Sequence, residues 1–254
     1  MRRLLIAIAV LFMALVVVAP LAVVFATAFR DGLGAYWRAI SSGEARSALK
    51  LTAITALIAV PLGIGFGIAA AWAIARFKFY GRTALLALID LPFAVSPVVV
   101  GLMFVLLFGS RGFFHPPFKV IFATPGIVLA TAFVTLPFVA RELIPALEAR
   151  GPAQELAALT LGASPWQMFR RITLPTLKKP LAYGAILCTA RAIGEFGAVS
   201  VVSGHIRGET TTVPLHVEIL YNDFHYQAAF AVATLLVAIA LVIVIVLRAI
   251  GRSS

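Results

Sequence analysis

The sequence predicts an all-α membrane protein, a bundle of six transmembrane helices. Three observations carry this. The 254 residues are 62% hydrophobic and only 12% charged, against about 25% charged residues in a soluble domain. Six apolar runs meet or approach the ~20 residues or more that a helix needs to cross a hydrocarbon core. These runs are continuous, where a membrane β-barrel would show short alternating segments. They lie at about 4–29, 51–75, 84–109, 120–140, 180–203 and 227–248. No composition break or internal repeat divides them, so residues 1–254 are expected to form one domain, with a polar loop at 141–179.

The first run follows Met1-Arg2-Arg3. That start resembles a secretory signal, but the apolar stretch far exceeds a signal's ~7–15 residues, so a retained first span is expected. In the second run Gly63, Gly67, Ala71 and Ala75 recur every four residues on one helix face. Small residues at that spacing let helix backbones approach closely. The partner is either a helix of the same chain or a second subunit. The third run contains Asp90-Leu91-Pro92 and Ser96-Pro97. Each proline removes a backbone donor and crowds the preceding turn, and the freed carbonyls need new partners. Either the breaks line a pathway, with Ser96 beside it, or they only shape the bundle.

The fifth run carries Arg191 and Glu195. Four residues apart on a helix, they can pair. Intramembrane ionisable groups are costly and face a cavity or a partner. Two roles stay open: Arg191 assists a passing anion while Glu195 holds it, or the pair clamps helices together. Gly194 and Gly197 flank Glu195, and Ser200 and Ser203 follow, which makes both serines pathway candidates by position. Cys188 is the only cysteine and excludes an intrachain disulfide.

The net charge of +11 invites a nucleic-acid reading. The basic residues, however, fall mostly between apolar runs. With the amino terminus inside, thirteen Lys and Arg residues, from Arg2 to Arg252, fall on the inner side and seven on the outer. That bias places both termini in the cytoplasm. The outer loop 204–226 holds His205, His216, His225, Glu209, Glu218 and Asp223. These are metal-ligand types, but their spacing matches no common site and no metal is expected. Contact with a partner or the membrane surface is the better expectation, with 213–220 as a short interfacial helix.

The 141–179 loop reads as helical. Residues 154–161 are mostly good helix formers, and Gly162 is placed to end that helix in a left-handed conformation. Ser164-Pro165 reads as a cap followed by proline at the first helical position. Trp166, Phe169 and Ile172 then recur every three residues beside Arg170 and Arg171. Two short helices about a glycine form a knob suited to a partner's groove, or a hairpin folded under its own bundle. No phosphate-binding Gly-x-x-x-x-Gly-Lys sequence occurs, since none of the five lysines follows a glycine. No catalytic constellation is visible either.

The stretch 153–175, AQELAALTLGASPWQMFRRITLP, sets Ala157 and Ala158 before Gly162, then Ile172, Leu174 and Pro175. This spacing resembles the EAA loop of ABC importer permeases of the MetI-like, binding-protein-dependent family. The motif's first glutamate falls on Leu156, with Glu155 one residue earlier. The resemblance implies that Glu155, Ala157, Ala158, Gly162, Trp166, Phe169, Ile172, Leu174 and Pro175 form a coupling loop seated in a cleft of a separate ATPase. The Leu156 departure shifts the expected grip toward Gly162 and the stripe Trp166, Phe169 and Ile172. Residues 90–109, 190–210 and 217–224 resemble the sulfate/thiosulfate branch of that family. The resemblance therefore implies an inner-membrane importer of sulfate or thiosulfate. Its partners would be a second similar permease, two ATPase copies holding ATP and Mg, and a binding protein outside; this chain would hold no cofactor. Other readings are a molybdate, tungstate or other oxyanion importer, a passive anion channel and an intramembrane enzyme.

Overall fold

The computed structural model describes residues 1–114 and 116–252, with side chains through Ile250. Ser253, Ser254 and the Arg252 side chain, counted in the expected domain and charge bias, lie outside the described residues. Every regular element among the described residues is helical. Helix α1 spans Arg2–Ala28. Its turn at Ala14–Val18 is widened, with the Ala19 N–H bonding to the Ala14 carbonyl. Pro20 follows directly, and a widened turn relieves its clash with the preceding carbonyls. Arg2–Val18 bury nothing.

The short α2, Gly32–Ile40, lies in the expected first outer loop. Its Tyr36 hydroxyl is 3.0 Å from Thr234 Oγ1. Helix α3, Gly43–Arg76, begins eight residues before the expected second span. Ser42 caps it, its Oγ accepting the Ala45 N–H at 3.2 Å. At 34 residues α3 is about 50 Å long, well beyond a ~30 Å hydrocarbon core. Its early start gives an extension on which later elements rest.

The third run is not one kinked span. It is two helices, α4 (Arg82–Ala94) and α5 (Pro97–Phe108), meeting at 109°. Val95 and Ser96 are extended between them, as expected of residues before proline. Helix α6, Thr124–Arg150, continues ten residues past the expected end of span four, so the expected loop starts within it. The charges of that extension find partners. Arg141 Nε binds Asp90 Oδ1 at 2.8 Å and its guanidinium lies over the Phe93 ring. Glu148 takes Arg82 Nη2 at 2.9 Å.

Two short helices follow, α7 (Ala153–Thr160) and α8 (165–176). The fifth run is also split, into α9 (Lys178–Ile193) and α10 (Gly197–Ser203), bent by 48°. Helix α11, Val213–Asn222, covers the expected interfacial segment, and α12, Tyr226–Arg252, follows it. Among the described residues, four helices (α1, α3, α6 and α12) are long and apolar enough to cross a membrane; counting each bent pair as one span gives six.

Helix α6 runs through the middle. At one end Val139, Leu143 and Leu147 pack with Ala71 of α3, and with Leu177 and Cys188. At the other, Ile127, Ala130 and Val134 pack with Val100 of α5, Val199 of α10 and Leu215 of α11. The small-residue stripe of α3 meets helices of its own chain. A Cβ on Gly67 would lie 2.6 Å from Val139 Cβ, and one on Gly63 would lie 3.3 Å from Cys188 Sγ. The two half-helices α5 and α10 approach in the same way: a Cβ on Gly197 would meet Pro97 at 2.8 Å, and one on Gly101 the Ala198 carbonyl at 2.7 Å. Near the start of α3 the Val213 N–H, at the start of α11, bonds to Thr52 Oγ1 at 2.9 Å.

Gly67→Val is expected to destabilise the protein by roughly 1–3 kcal/mol through overpacking, seen as a lower Tm in detergent. Gly65→Ala, on the same helix with open space around its Cβ, is the control and should leave Tm nearly unchanged. Equal effects would contradict the packing of α3 on α6.

Candidate functional site

The candidate site is the 151–177 loop at the end of the bundle. Its local geometry follows from a few residues. Gly151 closes α6 at φ 64°. Helix α7 ends in a Schellman turn: the Gly162 N–H bonds to the Leu159 carbonyl and the Ala163 N–H to the Ala158 carbonyl, both at 3.0 Å. Gly162 takes φ +88°, which a side chain would strain. Ser164 and Gln167 then form a capping box: Gln167 N–H to Ser164 Oγ at 3.2 Å and Ser164 N–H to Gln167 Oε1 at 2.9 Å. Pro165 occupies the first turn of α8, where its missing N–H costs nothing. The Arg150 guanidinium donates to the Thr176 carbonyl and so ties the two ends of the loop together.

One buried ion pair fixes the knob to the bundle. Arg76, the last residue of α3, binds Glu155 through Nε to Oε2 at 2.5 Å and Nη2 to Oε1 at 3.3 Å. The same guanidinium donates to the carbonyls of Leu147 and Gly151, each at 3.0 Å. The Thr173 hydroxyl of α8 donates to Glu155 Oε1 at 2.8 Å. Glu155 is only 7% exposed. A planar guanidinium with several fixed N–H donors suits this convergence better than a point charge does. Arg76, Thr173 and the buried Met168 carried no sequence signal of a site: Arg76 reads only as a charge ending an apolar run.

The structure distributes the expected coupling residues unevenly. Ala158 is buried against the bundle and Ala157 is exposed. The Trp166–Phe169–Ile172 stripe does not point outward as one face. Residues Phe169–Thr173 form a second widened turn, which rotates the register. Phe169 packs its ring 5.2 Å from Trp72 of α3 and 5.8 Å from Trp166. With Gly65, Ile68 and Ala69 these aromatics line an apolar cleft of about 380 Å³. Ile172 and Leu174 are half-buried and Pro175 is exposed. Of the stripe only Trp166 stays outward, 67% exposed, and it is joined by α7 and its turn, where Leu156 is 56% exposed and Leu161 88%, with Leu159 between them.

The pathway candidates fall at the two helix breaks. Ser96 is exposed between α4 and α5. At the other break Glu195 is 2% exposed. It pairs with Arg191 of α9, and its Oε1 accepts the Ala198 N–H of α10 at 2.9 Å. This carboxylate joins the two halves of the broken run, while Arg191 stays partly exposed. Ser200 bonds back to the Gly197 carbonyl. Ser203 is fully buried and holds the following loop by accepting the His205 N–H. In the 204–226 segment His205 pairs with Glu218 at 3.3 Å and Arg207 with Asp223 at 2.5 Å. His216 is buried, and burial pushes its imidazole below the usual value. Among the described residues, no three His, Cys, Asp or Glu side chains are grouped to hold a metal.

The chain is similar to known proteins. Residues 63–253 match the family described as binding-protein-dependent transport system inner membrane component. The sulfate transport system permease protein CysW of Synechocystis sp. is 50% identical over 246 residues, 95% of this chain and 89% of its own. The CysW protein of Escherichia coli is 47% identical over 94% of this chain and 84% of its own. The sulfate transport system permease protein CysT of E. coli is 37% identical over 92% and 86%. In three dimensions the chain is similar to a bacterial alginate ABC transporter solved with a pentasaccharide-bound periplasmic protein. The TM-score is 0.82 at 19% identity, covering 99% of this chain and 93% of the other, a likeness of fold.

Glu155→Gln is expected to cost roughly 3 kcal/mol by leaving a buried guanidinium without its counter-charge. It should lower Tm in detergent and speed proteolysis within 151–177. Arg76→Lys should not rescue packing, since one ammonium cannot reproduce the fork. Unchanged Tm and cleavage in Glu155→Gln would contradict the role of the pair.

Proposed function

The chain belongs to the family of binding-protein-dependent transport system inner membrane components, and on that premise we propose that it is the permease subunit of an ATP-driven importer of sulfate or thiosulfate. The observation that carries the transport reading is the 151–177 knob: a rigid, externally apolar element that the chain's own bundle leaves uncovered. Exposed apolar surface of this kind marks an interaction site. The cargo reading draws on the likeness to sulfate transport system permeases over almost the whole chain.

In this reading an ATPase dimer, holding ATP and Mg, receives α7 and its glycine turn, with Leu156, Leu159 and Leu161 in its groove. Glu155 faces the other way, into Arg76. A push on the knob therefore reaches the end of α3 directly and the end of α6 through the Leu147 and Gly151 carbonyls. Both helices then move against the glycine contacts that join them. The permease itself hydrolyses nothing and has no phosphate loop of its own. A second, CysT-like permease completes the pathway, and a binding protein delivers the anion from outside. The positive-inside bias supports a cytoplasmic location for both termini and the knob. Arg191 faces the passing dianion, and Glu195 holds it there while capping α10.

Reconstitution with the ATPase and binding protein tests this. Sulfate or thiosulfate should stimulate ATP turnover; stimulation by molybdate alone would overturn the cargo. Gly162→Asp should insert normally but lose uptake, and normal uptake would count against docking through this turn. Arg191→Gln should lose uptake with assembly intact, whereas loss of assembly would make the Arg191–Glu195 pair structural only.

A further inference from the structure

The Asp90–Arg141 pair lies at a depth where charges are costly. Helices α4 and α6 run side by side in opposite directions: Arg82 meets Glu148, Ile89 packs with Ala140, and Phe93 meets the Phe138 ring. Asp90 is eight residues along α4 from Arg82, about 12 Å from that end. It falls inside the third apolar run, and Arg141 is the first residue past the fourth. An arginine at the edge of a span ordinarily snorkels out to the interface. Arg141 does the reverse: its guanidinium lies 4.8 Å over the Phe93 ring, about a turn farther from the Arg82 end than Asp90. Both side chains stay open, 55% exposed for Arg141 and 46% for Asp90. Glu142 does not share this face, since a Cβ on Gly184 of α9 would lie 3.3 Å from Glu142 Cβ.

Open charges at this depth face a water-filled cavity or a partner, not lipid. The guanidinium is also only partly used. Its Nε donates to Asp90 Oδ1 at 2.8 Å, and its two terminal nitrogens make no hydrogen bond to any described residue. A free guanidinium edge is a fork that takes two oxygens of an oxyanion. Ser96, exposed at the α4–α5 break, lies six residues beyond Asp90 on the same broken run.

We propose that the free edge of Arg141 receives the transported oxyanion on the knob side of the α4–α5 break, with Asp90 as the positioning residue that aims the guanidinium. This rests on the transport reading and adds the inner half of the pathway to it. A carboxylate on one edge offsets much of the cation's charge, so the anion is passed on rather than trapped.

The test uses the assembled complex in proteoliposomes, with its ATPase and binding protein. Arg141→Cys should react with a charged, water-soluble thiol reagent; the native Cys188 is fully buried. No reaction, as lipid or the second permease over this face would produce, overturns the proposal. Arg141→Gln should assemble normally and take up sulfate about tenfold more slowly, the loss of one charge-assisted contact. Asp90→Asn with Arg141→Gln separates this from a structural clamp. Removing both charges relieves a clamp, so recovered uptake in the double variant overturns the proposal. Asp90→Asn alone should slow release, so that sulfate added on the ATPase side inhibits uptake more than in the wild type; equal inhibition removes Asp90 from the role. A wild type that moves no oxyanion fails the transport reading, whereas a wild type that moves one while Arg141→Gln keeps pace fails this proposal alone.

Discussion

One guanidinium ties the knob to the ends of two packed helices. Arg76 closes α3, binds Glu155 of α7, and takes the carbonyls of Leu147 and Gly151 at the end of α6. Thr173 adds α8 to the same carboxylate. A pair this buried is not primarily a source of stability, because desolvating both charges offsets much of their attraction. What it provides is geometry. Four acceptors around one planar fork leave the knob one orientation relative to α3 and α6. Without it, α7 and α8 would be two short helices, each too short to persist alone.

In the proposed coupling, motion at that point would reach a closely packed bundle. Helix α6 is central to two clusters of buried apolar residues, one at each end. It meets α3 at Gly67 and α9 at Gly184, where a Cβ would lie 3.2 Å from Val139 Cα. Contacts between backbones, with no long side chain between them, transmit displacement rather than absorb it. The half-helices α5 and α10 meet through Gly101 and Gly197, and both follow breaks. Broken helices at membrane depth are tolerated where freed backbone groups find partners. At the α9–α10 break that partner is Glu195, which accepts a backbone N–H of α10 while pairing with Arg191.

What the sequence made legible was local. The glycine turn at Gly162, the Ser164 cap and Pro165 each depend on residues within three or four positions, and each has a stereochemical reason. The small-residue stripe of α3 showed that a close approach exists but left its partner open; the partner is α6 and α9 of the same chain. The prolines at 92 and 97 marked a break, yet not a turn of 109°, because that angle depends on the extended pair Val95–Ser96 and on what α5 packs against. The Arg76–Glu155 pair was illegible, since 79 residues separate partners that share no periodicity. The aromatic stripe is divided for a related reason: the widened turn at Phe169–Thr173 changes the register and sends Phe169 to Trp72, while Trp166 stays exposed. The leucines of α7 and its turn, read as helix formers, add to the outward apolar surface.

The central claim is that this outward surface, fixed by Arg76 and Glu155, is where a separate ATPase docks. A single cysteine placed at Leu161 tests it most directly, because the native Cys188 is fully buried and out of reach. In the assembled complex, a short thiol cross-linker is predicted to join position 161 to the ATPase subunit. Labelling of that cysteine from outside sealed cells, or normal uptake with no cross-link to the ATPase, would contradict it.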